Sequence, residues 1–280
     1  MLLATWNVNS IIPRMPRLLE WLERVGPDVV CLQETKCADD RFPGEAITGL
    51  GYELATFGQG PRNGVAILSR LGLEDVVRGL DGIEAWEDQI EARAVRGTCG
   101  GIRVWSLYDP NGREPAHPHY QYKLRWLTAL RQAAAAEKEG GLPLALCGDF
   151  NIAPADADVW DPQAYAHSTH VTAPEREALE RARAVGLIDV IPRSLKGDRP
   201  FTYWDYRAGM FHKNMGMRID LLYLSPMLAD GVSDAYIDRE MRKGKLPSDH
   251  APVIAEIRLS GGLSEAERRA DAALDEGFGK

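Results

Sequence analysis

The sequence predicts an α+β fold in which two β-sheets pack face to face and helices cover them. About ten short segments are rich in Val, Ile, Leu and aromatic residues and are bounded by Gly, Pro or Asp, a pattern that is typical of β-strands. Helical periodicity is confined to a few longer segments. The 280 residues are 45% hydrophobic and 26% charged, an ordinary globular composition that supports one large core. We expect a single domain over residues 1–259 and a short tail over residues 260–280.

The predicted strands are spread along the whole domain, so the sheets are expected to form from distant parts of the chain. A two-sheet sandwich is one of the few arrangements that buries this many strands. The strands are Leu2–Val8, Asp28–Gln33, Tyr52–Phe57, Gly64–Ser69, Ile90–Val95, Ile102–Tyr108, Pro143–Gly148, Ile219–Ser225, Asp234–Asp238 and Pro252–Leu259.

The predicted helices have clear ends. Apolar residues recur at helical spacing in Arg14–Val25, which Gly26 and Pro27 close, and in Tyr120–Lys138, which Gly140 closes. A third helix is expected over Pro174–Val185, with Pro at its start. The aromatic residues of the second helix are expected to lie in the core.

Composition and chain ends favour a cytoplasmic protein. The start MLLATWNVNS lacks a basic region, and no apolar run approaches the ~20 residues of a membrane span. The four cysteines are scattered and form no C-x-x-C pair, so four free thiols are expected.

The net charge of −8 argues against a nucleic-acid partner, but the charge is unevenly distributed. The stretch Arg193–Arg218 holds six basic residues against two acids, and Arg239–Lys245 holds four against one. Aromatic residues are interleaved with the first stretch, a pattern suited to a nucleic-acid strand. A solvated charged surface is the alternative, and composition alone leaves both open.

Polar residues follow several of the predicted strands directly. Asn7 and Asn9 share one face at the end of the first strand, and Glu34 follows the apolar run VVCL. A carboxylate at such a place is a good Mg²⁺ ligand, because Mg²⁺ takes one or two carboxylates and keeps its waters. Turn-forming asparagines and a solvated strand end are the alternatives.

The motif G-D-F-N follows the apolar run LPLALC. Asp149 and Asn151 project to the same side where that strand ends, so an acceptor or base stands beside an amide donor. An Asx-type turn is the alternative.

A histidine with a distant acidic partner is predicted near the last strand. Asp249 and His250 are adjacent and point to opposite sides of an extended chain, so Asp249 is a poor partner for the ring. Asp220 enters a buried strand, which is costly without a partner, and is the better candidate. A salt bridge from Asp220 to Arg218 is the alternative. His117, His119, His167 and His170 lack a nearby Cys or carboxylate cluster and are expected to have structural or surface roles.

These motifs occur in one order along the chain, each at a strand end. They are N-x-N, Q-E-T, Y-x-P-N-G, G-D-F-N, R-I-D and S-D-H, within the segments PDVVCLQETK, GVAILS, LALCGDFNIAP, FTYWDYR, MRIDLLYLS and PSDHAPV. From Met1 to about Leu259 the chain resembles the exonuclease III-type AP endonucleases of the endonuclease/exonuclease/phosphatase superfamily. The resemblance implies a four-layer αββα sandwich of two mixed β-sheets flanked by helices.

The resemblance also implies a metal site and a catalytic group. Glu34 matches the principal metal-binding carboxylate of the family. The positions implied near the metal are Glu34, Asn7, Asn9, Asp149, Asn151 and Asp249. The implied catalytic residues are Tyr108, near the scissile phosphate, Asp149 and Asn151, at the attacking water, and the pair of Asp220 and His250. Whether Asp149 or His250 is the general base is left open.

Substrate positions follow in the same way. Asn111 matches a phosphate-contacting amide, and Tyr203, Met217 and Ile219 match positions that line a pocket for a flipped abasic sugar. Asp109 stands where many members have an apolar residue.

The resemblance implies a monomeric Mg²⁺-dependent phosphodiesterase of DNA repair, with Mn²⁺ as an alternative ion. Its partner would be double-stranded DNA with abasic sites or damaged 3′ ends. It would cleave on the 5′ side of abasic sites, remove 3′-terminal nucleotides and blocks, or do both. Hydrolysis of another phosphoester, such as an inositol phosphate or sphingomyelin, is the alternative, and FTYWDYR and MRID favour nucleic acid. A catalytically silent DNA-binding module is disfavoured because all the acids and His250 are present.

Overall fold

The protein is described by a computed structural model that covers residues 1–194 and 197–259. In chain order these residues form β1 (Leu2–Asn7), α1 (Ile11–Val25), β2 (Val29–Gln33), α2 (Gly44–Thr48), β3 (Glu53–Phe57), β4 (Val65–Ser69), β5 (Glu74–Arg78), β6 (Ala94–Cys99), β7 (Ile102–Tyr108), α3 (Pro118–Glu139), β8 (Leu144–Asp149), α4 (Ala173–Arg183), β9 (Ile188–Asp189), α5 (Met210–Lys213), β10 (Asp220–Leu224), α6 (Pro226–Asp230), β11 (Val232–Ile237) and β12 (Val253–Ile257).

The strands form two six-stranded mixed sheets. The first has the order β11-β12-β1-β2-β4-β3, and the second has the order β5-β6-β7-β8-β10-β9. β1 runs parallel to β2 and β7 runs parallel to β8, whereas the other neighbouring strands are antiparallel. Trp21 of α1 packs on the outer face of the first sheet, and Trp126 of α3 packs with Leu179 of α4 on the outer face of the second. The predicted four-layer αββα sandwich is therefore confirmed.

Strand alternation carries polar side chains to one edge of the sandwich. Leu3 of β1 and Cys147 of β8 lie in the core between the sheets, and Asn7 and Asp149 follow them on the same faces. Asp220, the first residue of β10, is paired in register with Asp149, the last residue of β8. Polar groups from both sheets therefore meet at the edge where these strands end.

The second sheet differs from the prediction at three strands. The expected strand Ile90–Val95 is wrong, because β6 begins only at Ala94 and Ile90 is exposed in the loop before it. β6 contains Arg96 and Gly97, which interrupt the run of apolar and β-branched residues by which strands are predicted. β5 and β9 were not predicted, because one lies at a sheet edge with a polar sequence and the other has only two residues.

The predicted helices are confirmed, with shifted starts. α1 begins at Ile11 and contains Pro16, and α3 begins at Pro118. None of the described helices is long and apolar enough to cross a membrane. All four cysteines are buried and free, as predicted. The predicted tail lies outside the described residues, so the domain boundary stays a prediction.

Candidate active site

His250 and Asp220 form a buried pair at the edge where the two sheets meet. Asp220 Oδ2 accepts a hydrogen bond from His250 Nδ1 at 2.8 Å, and the two side chains are 0% and 4% exposed. Thr202 Oγ1 accepts the main-chain N–H of Asp220 and fixes the start of β10. Burial lowers the pKa of His250, but the carboxylates of Asp220 and then Asp149 outweigh it and raise the pKa to about 10. His250 is therefore protonated at neutral pH.

Asp149 faces the same ring from the end of β8. Its Oδ2 lies 3.8 Å from His250 Nε2 and accepts a hydrogen bond from Asn7 Nδ2 at 2.9 Å, while Oδ1 accepts the N–H of Asn151. Burial raises the pKa of Asp149, the His250 charge lowers it, and neighbouring carboxylates raise it again, to about 7. Asp149 thus holds a proton more readily than an exposed aspartate.

Glu34 lies directly after β2 and is joined to Asp149 through Asn7. Glu34 Oε1 accepts from Asn7 Nδ2 at 2.9 Å, and Oε2 forms an ion pair with Lys36 Nζ at 2.6 Å. Burial raises the pKa of Glu34, but Lys36 and the Asn7 amide outweigh it, so the net change is downward. Tyr108 lies partly buried beside Glu34, and desolvation followed by the Glu34 charge raises the pKa of its hydroxyl well above the usual value. Tyr108 therefore stays a hydrogen-bond donor.

Asn9 and Asp249 lie at the rim of this centre. Asn9 Nδ2 donates to Asp249 Oδ1 at 2.9 Å, and Asn9 Oδ1 accepts from Lys36 Nζ at 2.6 Å. The partner of the His250 ring is Asp220 and not Asp249, as strand alternation predicts.

Three further polar side chains meet beside Asp149, and we call them the amide–imidazole trio: Asn111, Asn151 and His170. Asn111 Nδ2 donates to Asn151 Oδ1 at 3.2 Å, and His170 Nε2 lies 3.2 Å from that oxygen and 3.3 Å from Asn111 Nδ2. Burial, followed by the charge of Lys123, lowers the pKa of His170 to about 4. The ring is neutral at pH 7 and offers one donor and one acceptor.

A cavity of about 370 Å³ opens in front of these groups. The predicted pocket residues Tyr203, Met217 and Ile219 line it, together with His170. Met217 and Ile219 belong to a small apolar cluster, and the Tyr203 ring centroid lies 4.9 Å from that of His250. The cavity therefore has an apolar wall in addition to its polar lining residues.

Two interpretations of the arginines that the sequence left open do not hold. Arg218 does not pair with Asp220, because it is buried between Asp158 and Asp189 and forms hydrogen bonds with both carboxylates. Arg239 and Arg242 do not form part of an exposed basic surface. Both are buried, and Arg242 donates to the main-chain carbonyls of Ser248 and Trp204. Their charges hold the loops near the site instead of facing a ligand.

Sequence reasoning missed His170 and Lys36 as members of the site. His170 was assigned a structural or surface role because its H-x-x-H motif has no acidic companion nearby. Its place in the cavity depends on the 150–172 loop, which no local pattern predicts. Lys36 follows Glu34 by two residues, and that spacing was a usable signal.

The centre fits a hard divalent cation. Ligand atoms of Glu34, Asp149 and His250 all lie within 4.8 Å of one another. Because His250 is protonated, its ring has no free lone pair, which leaves the carboxylate oxygens as ligands. Burial is the main cause of the raised pKa of Asp149, about 7, and the carboxylates of Asp220 and Glu34 add to it, so a cation here would favour the ionised form. An oxygen-rich site with surplus negative charge suits such an ion.

Comparisons with known proteins agree with this site. Residues 4–250 match the profile of the Endonuclease/Exonuclease/phosphatase family. The chain is 31% identical over 267 residues to exodeoxyribonuclease III of Haemophilus influenzae, covering 91% of this chain and 98% of that protein.

Solved structures give the same relationship. The 3′-5′ exonuclease NExo of Neisseria meningitidis superposes with a TM-score of 0.86 at 38% identity, covering 92% of this chain and 99% of that one. A second NExo structure, described as a 3′ phosphatase bound to a product DNA hairpin, gives 0.87 at 37%, with the same coverage. An AP endonuclease from Archaeoglobus fulgidus gives 0.86 at 34% identity, again covering 92% and 99%. The chain therefore belongs to the endonuclease/exonuclease/phosphatase family, as a hydrolytic nuclease of the exonuclease III type.

Proposed function

We propose that this protein is a Mg²⁺-dependent DNA-repair phosphodiesterase that removes 3′-terminal nucleotides and 3′ blocking groups and cleaves on the 5′ side of abasic sites. The observation that carries the proposal is the buried centre in which Glu34, Asp149, Asp220 and His250 converge. NExo, a 3′-5′ exonuclease and 3′ phosphatase, supports the 3′-end activity. The AP endonuclease from Archaeoglobus fulgidus supports the abasic-site activity.

Glu34 and Asp149 are the residues that would hold Mg²⁺, with Mn²⁺ as an alternative ion. Asn7 bridges the two carboxylates by donating to both. A bound Mg²⁺ ion supplies charge neutralisation for the phosphate and the leaving 3′-oxygen. Asn9 and Asp249 form a hydrogen-bonded pair at the rim and Asn151 holds Asp149, so these three residues would orient the ligands of such an ion.

The protonation states of His250 and Asp149 favour Asp149 as the general base. His250 is held protonated by Asp220, so it cannot take a proton from water but can donate to a phosphate oxygen and stabilise its charge. The carboxylate of Asp149 lies 3.8 Å from the His250 ring and, when ionised, can accept the proton of the attacking water. Asn151 holds Asp149 in place through its main-chain N–H.

The remaining polar groups position the phosphate. Tyr108 keeps its proton and presents a hydroxyl beside Glu34, and Asn111 presents an amide on the other side of Asp149. Fixed donors around the scissile group lower the entropy cost of reaching the transition state.

The apolar wall of the cavity is suited to a bare sugar. Tyr203, Met217 and Ile219 offer a ring, a thioether and a branched alkyl group close to His250. An abasic sugar has no base to unstack, so its extrusion costs less than that of an intact nucleotide, which costs a few kcal/mol.

The cavity mouth favours DNA over a small phosphoester. Arg207, which pairs with Asp205, and Arg113 both line the cavity and are exposed. Tyr206, next to Arg207 in the sequence, is 50% exposed, and its hydroxyl donates to the carbonyl of Pro247. Exposed arginines and an exposed ring fit a phosphate backbone and an adjacent base. A cytoplasmic location and a monomeric state stay predictions.

The experiment that tests the proposal is a substrate panel with purified protein and Mg²⁺. The duplexes carry an abasic site, a recessed 3′-phosphate or an intact recessed 3′ end, and an inositol phosphate is included. We expect hydrolysis of the DNA substrates and none of the inositol phosphate. Release of phosphate from the inositol compound without any DNA cleavage would contradict the proposal.

A further inference from the structure

A fully buried ion pair lies directly beneath the amide–imidazole trio. Lys123 of α3 and Glu175 of α4 are both 0% exposed, and Lys123 Nζ lies 2.7 Å from Glu175 Oε1. The ammonium also donates to the main-chain carbonyl of Asn151 at 2.8 Å and approaches that of Asn111 at 3.4 Å. All three of its protons are thus directed at acceptors from three different segments.

Glu175 extends the same arrangement to the third member of the trio. Its Oε1 accepts the main-chain N–H of His170 at 3.1 Å, and its Oε2 accepts the N–H and the hydroxyl of Thr172. A Cβ at Gly112 would lie 3.2 Å from Lys123 Cδ, so the Asn111–Gly112 turn rests on the lysine stem. One ion pair therefore anchors the main chain at each of the trio residues.

Stability alone does not account for this pair. Replacing a buried ion pair by apolar side chains of similar volume is often neutral or stabilising, because both charges lose their hydration on burial. The Lys123 and Glu175 contacts, however, are made to loop main chain that apolar side chains would leave unpaired.

We infer that Lys123 and Glu175 are positioning residues that set the placement of Asn111, Asn151 and His170 for the reaction. The inference rests on the proposed function, because the trio acts on substrate only if the cavity is the active site. The pair touches no substrate; it acts through the main chain of the loops. Its loss therefore lowers turnover more than it lowers affinity for DNA.

The test compares Lys123→Met, the paired variant Lys123→Met with Glu175→Met, and the control Lys138→Met. Lys138 lies on the same helix, is exposed, and donates only to the carbonyl of Val185 among its described contacts. The substrate is a duplex with a recessed 3′-phosphate. The measurements are the melting temperature, kcat with Mg²⁺, and the Kd for the same DNA in EDTA.

Lys123→Met alone leaves Glu175 charged and unpaired and is expected to lower the melting temperature. The paired variant is expected to recover part of that loss, because no charge is left unpaired, although the loop main chain stays unpaired. It is expected to lose about tenfold or more in kcat while its Kd stays within about threefold. Lys138→Met is expected to match wild type. A paired variant with wild-type stability and wild-type kcat would overturn the inference, as would a Kd that weakens in parallel with kcat.

Two further measurements keep the test decisive. If the paired variant does not fold, Thr172→Val takes its place, because it removes only the hydroxyl that donates to Glu175. This variant is expected to lower kcat a few-fold at unchanged Kd, and an unchanged kcat would overturn the inference. Amide hydrogen exchange at residues 150–153 and 169–172 does not depend on the proposed function. Faster exchange in the variants supports the anchoring role even if wild type fails to cleave this DNA, and unchanged exchange contradicts it.

Discussion

Replacing Asp220 by Asn is the sharpest perturbation of the site, because it removes one charge and keeps the shape. Asp220 Oδ2 lies 2.8 Å from His250 Nδ1, and both groups are buried. Several carboxylates raise the pKa of His250 to about 10, and Asp220 contributes the largest part of this rise. An asparagine retains an acceptor for Nδ1 but cannot stabilise the imidazolium.

The size of the effect follows from the pKa of the ring. The rise from 6.5 to about 10 corresponds to roughly 5 kcal/mol of preference for the protonated ring. Removing the largest contributor is expected to move the alkaline limb of activity down by about 1–2 pH units. With a pKa of about 8–9 the ring is still mostly protonated at pH 7.5, so we expect kcat to fall less than about twofold there from the change in protonation, and by about 5–50-fold at pH 10.

The assay is the pH dependence of kcat between pH 5 and pH 10. His250 acts when protonated, so activity is present below its pKa and is lost as pH rises through it. Asp149 acts when ionised, so activity is lost as pH falls through its pKa, at or below about 7. In Asp220→Asn only the alkaline limb of the pH profile of kcat should move to lower pH. The control Asp249→Asn should move this limb less. An unchanged alkaline limb would refute the reasoning, and so would losses in Asp220→Asn and His250→Ala that simply add.

The remaining predictions concern the base, a buried acid and the cavity mouth. Asp149→Asn should lower single-turnover cleavage by about 10²–10⁴-fold while the Kd for DNA, measured by fluorescence anisotropy, stays within a few-fold; near-normal cleavage would rule out Asp149 as base. Asp109 is buried without a hydrogen-bond partner for either carboxyl oxygen in the described chain, and burial raises its pKa well above the usual value. Its folded state holds the proton more tightly than the unfolded state, so it lowers stability increasingly as pH rises above about 4. Asp109→Asn should therefore raise the melting temperature more at pH 8 than at pH 4, and an equal change at both would argue against a neutral Asp109. Arg207→Ala should shallow the slope of log Kd against log salt concentration by about 1; an unchanged slope would place DNA elsewhere.

Strand alternation and strand ends predict where most side chains of the candidate centre lie, whereas their roles came from the family resemblance. Asn7, Glu34, Asp149 and Asp220 follow or begin short apolar strands, and the side on which each projects can be read from the two-residue period. The link between Asp220 and His250 was predictable because a buried strand carboxylate needs a partner.

Loop-borne contacts could not be predicted in this way. His170 reaches the cavity through a long loop with a positive φ of 83° at the residue itself, a conformation that no periodicity signals. Arg239 and Arg242 look like surface residues in the sequence, and only the folded loops show that they are buried against carbonyl groups. Local pattern carries no information on which distant loop a charged side chain will meet.

The central claim is that Glu34, Asp149, Asp220 and His250 form one metal-dependent centre for phosphodiester hydrolysis. The most direct measurement is a Mg²⁺ titration of single-turnover DNA cleavage by wild type and Glu34→Gln, starting from protein stripped with EDTA. We predict no cleavage by wild type in EDTA, full recovery with Mg²⁺, and a strongly raised Mg²⁺ requirement in Glu34→Gln. Cleavage by wild type in EDTA, or an unchanged Mg²⁺ requirement in Glu34→Gln, would contradict the claim.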